Sequence, residues 1–99
     1  MPYLIVTTIP SRHAAERDAA RPDHLAYLEG AVAVILAAGA KLEEDGAVGD
    51  GSFYLVDVES RAEAEAFIEG DPYRQRGLVE DVTLTRVRAG FFDRRRRPA

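Results

Sequence analysis

No cysteine occurs in the 99-residue chain. Disulfides, thiolate nucleophiles and cysteine-based metal sites are therefore excluded together. Histidine occurs only as His13 and His24, so a zinc site would have to lean on carboxylates, and neither a metal nor an organic cofactor is expected. The longest apolar run, residues 31–40, is about half of the ~20 residues that a membrane span needs, so no membrane partner is expected. A basic field is also missing. With a net charge of −4 the body of the chain has little with which to hold a polyanion, and nucleic acid is not an expected partner. The N-terminus carries no basic segment followed by an apolar stretch and a small-residue cleavage site, so no secretory signal is read and a cytoplasmic location is the expectation. Phosphate-cradle and nucleophile-elbow patterns are absent as well. Gly46, Gly49 and Gly51 lack the G-x-G-x-x-G spacing and a following helix, and read as hairpin turns. No G-x-S-x-G occurs.

What is present is an ordinary globular composition, 46% hydrophobic and 30% charged, in a length suited to one core. Residues 3–9, YLIVTTI, are β-branched and aromatic and stop at Pro10, which predicts a first strand. A polar, alanine-rich stretch over 11–20 has weak helical character. Pro22 fits the first position of a helix, where its missing N–H costs nothing, and Asp23 suits the positive end of the helix dipole. Leu25, Leu28 and Val32 then recur at helical spacing and predict a buried stripe. The β-branched Val32, Val34 and Ile35 argue for ending this helix near Ala33, with a second strand from about Val34 to about Leu42. Residues 43–51 are rich in turn formers and predict a hairpin connection, and 53–58, FYLVDV, a third strand. Ser60 followed by Glu63 is a capping box opening a helix over 61–69, closed by Gly70. A single helical turn over 72–76 precedes a fourth strand over 79–88.

The order is β-α-β-β-α-β, the ferredoxin-like arrangement of an α+β fold: a four-stranded antiparallel sheet with both helices on one face. One domain over 1–90 and an arginine-rich tail over 91–99, read as a solvated terminus, account for the chain. In the first strand Tyr3 and Ile5 oppose Leu4 and Val6, and in the third Phe53 and Leu55 oppose Tyr54 and Val56. Both faces are apolar, whereas a sheet covered on one side alternates apolar with polar. A second subunit is the simplest cover, so a homodimer is expected.

The segments RPDHLAYL, ILAAGAKLEEDG, DGSFYLVDVES, EGDPY and LVEDVTLTRVR resemble, in order and spacing, the YciI-like (YCII-related) family over roughly residues 1–88. The resemblance implies a dimeric α+β barrel, in which two ferredoxin-like sheets pack face to face. It also implies an active-site pair at the histidine of R-P-x-H and the aspartate of D-P-Y, here His24 and Asp71. Lyase-like, dehalogenating and ring-isomerising activities are found among such proteins and their relatives.

Each candidate has a structural alternative. His24 suits acid–base work near neutrality, or fills the start of a helix. Asp71 precedes Pro72 and is an N-cap; one carboxylate oxygen can cap while the other orients an imidazole. Arg21 and Arg17 approach His24 and suit bidentate capture of an anionic group, or form a solvated helix face. Tyr27 and Tyr73 line a substrate pocket or pack in the core. Gly39 admits a ligand close to the backbone or marks a bulge. The function that follows is proton transfer on a small anionic or cyclic organic molecule, of lyase, isomerase or dehalogenase type. Its alternative is a non-catalytic small-ligand binding or dimerisation module.

Overall fold

The computed structural model describes residues 2–98; Met1 and Ala99, the outer ends of the expected domain and tail, lie outside the described residues. Strands β1 (Tyr3–Thr8), β2 (Ile35–Leu42), β3 (Val48–Val56) and β4 (Asp81–Arg86) form one antiparallel sheet in the order β2-β3-β1-β4. A 3-10 turn at Ser11–His13 leads into helix α1 (Ala14–Gly30) between β1 and β2. Helix α2 (Arg61–Glu69) and the single turn α3 (Pro72–Gln75) join β3 to β4. The α+β class and the four-stranded antiparallel sheet are those expected.

Period-two alternation sets the inner face. Along β1, Tyr3, Ile5 and Thr7 are buried while Leu4, Val6 and Thr8 are half-buried. The register places Tyr3 beside Val56 and Ile5 beside Tyr54, and these four pack against Ala64, Phe67 and Ile68 of α2. A second cluster of Ile9, Ala20, Tyr73, Leu78 and Val79 seats α3 against α1. On the outer face, Leu4 pairs with Leu55 and Val6 with Phe53, an apolar patch that no helix covers.

Several local expectations are corrected. Pro22 is not a first helical position but lies inside α1, where it cannot donate to the carbonyl of Asp18. Both residues are exposed, so that carbonyl is open to solvent, and the alanine-rich segment before it propagates as helix. The anticipated leucine stripe is not the buried one: Leu25 is 38% and Val32 66% exposed, while Ala20 and His24 are buried. The helix rotates so that its smallest and flattest side chains meet α3. β3 begins at Val48 rather than Phe53, so Gly49 and Gly51 are strand residues. A Cβ on Gly49 would sit 2.6 Å from the Lys41 carbonyl oxygen, and one on Gly51 would collide with that of Thr7. These glycines let three backbones approach; only Gly46, at φ 91°, serves the turn. The C-terminal segment forms a hairpin of β5 (Phe91–Phe92) and β6 (Arg95–Arg96), turning through Asp93 and Arg94 in the left-handed region.

Candidate functional site

Asp71 follows the Gly70 cap of α2 and is itself the N-cap of α3: its Oδ1 accepts from the Tyr73 backbone N–H at 2.9 Å. The sharp turn between the two helices aims the carboxylate at α1, and Oδ1 lies 2.8 Å from His24 Nδ1. Oδ2 accepts from the Tyr54 hydroxyl at 2.6 Å. The carboxylate is 1% exposed and is met by three donors from three elements, which compensates the burial of its charge. Burial, and then the Asp71 charge, push the Tyr54 hydroxyl far above its ordinary value near 10, so it remains a donor.

These contacts decide which ring nitrogen faces the carboxylate. A carboxylate only accepts hydrogen bonds, so Nδ1 of His24 carries a proton toward Asp71, and Nε2 is the nitrogen left to exchange a proton with a ligand. Among the described residues Nε2 makes no hydrogen bond, and no buried side-chain nitrogen or oxygen lacks a partner. Nε2 is therefore reached from the cleft that His24 lines. The ring stacks on Tyr73 at 4.0 Å and 11° and meets the edge of Tyr54 at 6.4 Å, which fixes its plane.

The cleft, of about 380 Å³, opens between α1 and the β2–β3 side of the sheet. Leu25 and Leu28 wall the helix side, while the sheet side is the small-residue run Ala38, Gly39 and Ala40. Arg17 is committed to structure, donating to the Gly49 and Gly51 carbonyls at 3.0 and 3.3 Å. Arg21, exposed at the cleft wall, makes no hydrogen bond or ion pair among the described residues. Those residues also bring together no set of three His, Asp or Glu side chains able to hold a metal ion.

The family model of the YCII-related domain matches residues 1–88. The chain belongs to this family. A solved structure similar to this YCII-related chain is the 5-chloro-2-hydroxyhydroquinone dehydrochlorinase (TftG) from Burkholderia phenoliruptrix AC1100, in complex with 2,5-dihydroxybenzoquinone. The two share 30% sequence identity with a TM-score of 0.80, over 89% of this chain and 94% of the other. No curated protein matches the chain.

Of the residues singled out in the sequence, the structure brings His24, Asp71 and Tyr73 into one cluster and places Arg21 and Gly39 on the wall of the cleft beside it. Tyr27 is not brought there. Its hydroxyl donates to the Phe67 carbonyl at 2.6 Å, and its ring packs against Phe67 and close to Gly70, so it joins α1 to α2 instead of lining the cleft. Tyr54 was missed. The available signal was its inward register in the third strand, opposite Phe53 and Leu55: a tyrosine on a buried face needs a hydroxyl partner.

Proposed function

We propose that this YCII-related protein is a small-molecule enzyme whose His24 Nε2 removes a proton from a small, planar, hydroxylated ring compound, in an elimination or isomerisation. The observation that carries this reading is the 2.8 Å contact between His24 Nδ1 and Asp71 Oδ1, with Nε2 left open to the cleft. Asp71 holds the Nδ1–H tautomer and balances the positive charge that forms on the imidazole when Nε2 takes the proton. Arg21 meets an oxyanion or carboxylate of the substrate. In the dehydrohalogenating form of the step, one proton goes to Nε2 and the halide leaves with the bonding electron pair, so the ring loses HX without change of net charge. The similarity to a dehydrochlorinase makes this form the first to test. The working unit is a homodimer, because the outer sheet face of Leu4, Val6, Phe53 and Leu55 is apolar and uncovered in one copy.

The test is chloride release from 5-chloro-2-hydroxyhydroquinone, with 2,5-dihydroxybenzoquinone titrated as a probe of the cleft. Turnover that His24→Ala abolishes supports the reading. Binding of the quinone without turnover of any halogenated or isomerisable ring analogue would leave the non-catalytic binding module. Equal turnover in His24→Ala would overturn the role of His24.

A further inference from the structure

We propose that Tyr54 is a positioning residue for the acid–base pair: its hydroxyl locks the plane of the Asp71 carboxylate and thereby holds His24 in the tautomer that leaves Nε2 free. This rests on the reading of His24 as the base. The argument starts from what the helix cap leaves undone. The Tyr73 backbone N–H and His24 Nδ1 both meet Oδ1 of Asp71, at 2.9 and 2.8 Å, so neither holds Oδ2. A carboxylate that turns about its Cβ–Cγ bond carries Oδ1 off the line to His24 Nδ1. The Tyr54 hydroxyl, 2.6 Å from Oδ2, restrains that turn from the other oxygen.

Tyr54 is suited to this because its own position is rigid. It lies on β3, an interior strand of the sheet, paired with Ile5 of β1 on one side and Ala38 of β2 on the other. It is 1% exposed, and its ring meets the edge of Phe67 at 5.6 Å. The sheet thus supplies the fixed reference, while Asp71 sits on the short connection between two helices and His24 on a third. The hydroxyl stays protonated far into the alkaline range through burial and the Asp71 charge, so the latch does not open at working pH. The three elements meet at a single carboxylate: α3 supplies the cap donor, β3 the latch and α1 the base that they orient.

Tyr54→Phe keeps the ring and removes only the oxygen. Side-chain 15N NMR should show His24 predominantly with the proton on Nδ1 in the unaltered protein, and a mixture of the two neutral tautomers in Tyr54→Phe. With a turned-over substrate, kcat should fall roughly 10- to 100-fold, the range for loss of a hydrogen bond to a charged group. KM should stay within about twofold, because the hydroxyl faces Asp71 and not the ligand. A folded Tyr54→Phe protein with an unchanged tautomer and unchanged kcat would overturn the proposal. If the variant does not fold, the unaltered protein decides: the Tyr54 hydroxyl proton should exchange slowly with water, and rapid exchange would remove the latch. The tautomer measurement needs no substrate. Absence of turnover in the unaltered protein therefore counts against the enzymatic reading, whereas an unchanged tautomer in Tyr54→Phe counts against Tyr54 alone.

Discussion

Replacing Asp71 by alanine removes one acceptor from three donors, and the structure allows the cost to be built up piece by piece. The cap on Tyr73 N–H contributes about 0.5–2 kcal/mol. The Tyr54 hydroxyl, buried and donating to Oδ2, loses that acceptor at about 1–3 kcal/mol. The His24 Nδ1–H, on a residue 7% exposed, adds about 1 kcal/mol, limited because the ring can move its proton to Nε2. Together the loss is about 2.5–6 kcal/mol, a large share of the ~5–15 kcal/mol that holds a domain of this size together. Urea unfolding measures it directly, and a thermal melt should fall by about 10–50 °C. Asp71→Asn behaves differently. Asparagine caps as well as aspartate and its oxygen can still accept from Tyr73 N–H and His24 Nδ1–H, so its cost should be about 1–2 kcal/mol, mostly from Tyr54. The decisive comparison is Asp71→Ala combined with Tyr54→Phe. Deleting the orphaned hydroxyl should return about 1–2 kcal/mol, making the pair clearly non-additive. A loss of under about 1 kcal/mol in Asp71→Ala, or strictly additive variants, would show that the carboxylate is only a helix cap.

Stability should also fall at alkaline pH. Tyr54 has a raised hydroxyl pKa in the folded protein, so above its ordinary value near 10 the unfolded chain releases a proton that the native state retains; stability is then complete below that pH and declines above it, by up to about 1.4 kcal/mol per pH unit for this group. Denaturation measured between pH 8 and about 11 should show the decline, and Tyr54→Phe should flatten it. Gly51→Ala places a Cβ against the Thr7 carbonyl at a backbone φ of 151°; the expected loss is about 3 kcal/mol or more, and an ordinary melting temperature would refute the close approach of β3 to β1. Sedimentation at micromolar concentration should give about twice the 10.9 kDa chain mass, with Val6→Asp shifting the protein to a monomer that remains folded, since Val6 faces outward. A monomeric unaltered protein would remove the homodimer.

Much of the fold was legible because its signals are local. The β-branched runs marked strands, and the apolar residues on both sides of the first and third strands showed that both faces of the sheet need cover. Ser60 and Glu63 announced a capping box, and the structure shows it: the Ser60 hydroxyl oxygen accepts from Glu63 N–H at 3.2 Å. Asp71 before Pro72 announced a second cap. In each case the interacting groups lie within a few residues of one another, so composition and spacing already constrain the geometry. The family resemblance pointed to His24 with Asp71, a pairing that spacing alone did not provide. Where two local signals competed, the weaker one lost. Pro22 looked like a beginning only because nothing nearby told how strongly the preceding alanine-rich stretch would be held by the packing of Ala20 on Tyr73 and Leu78.

What the sequence determined by itself was therefore the order of elements, the two apolar faces of the central strands, the caps and the α+β class, all of which follow from patterns along the chain. Tertiary structure alone decided the site. His24 meets Asp71 across 47 residues and Arg17 reaches Gly49 across 32, while Tyr54 closes on Asp71 from a different layer of the fold. It also decided that Gly49 and Gly51 bring strands together instead of turning them, that Leu25 and Leu28 wall a cleft, and that Tyr27 does not. The physical reason is common to all of these. A side chain's role in a site depends on which way its element is rotated and how closely another backbone approaches, and both are settled by packing between layers that local spacing does not encode.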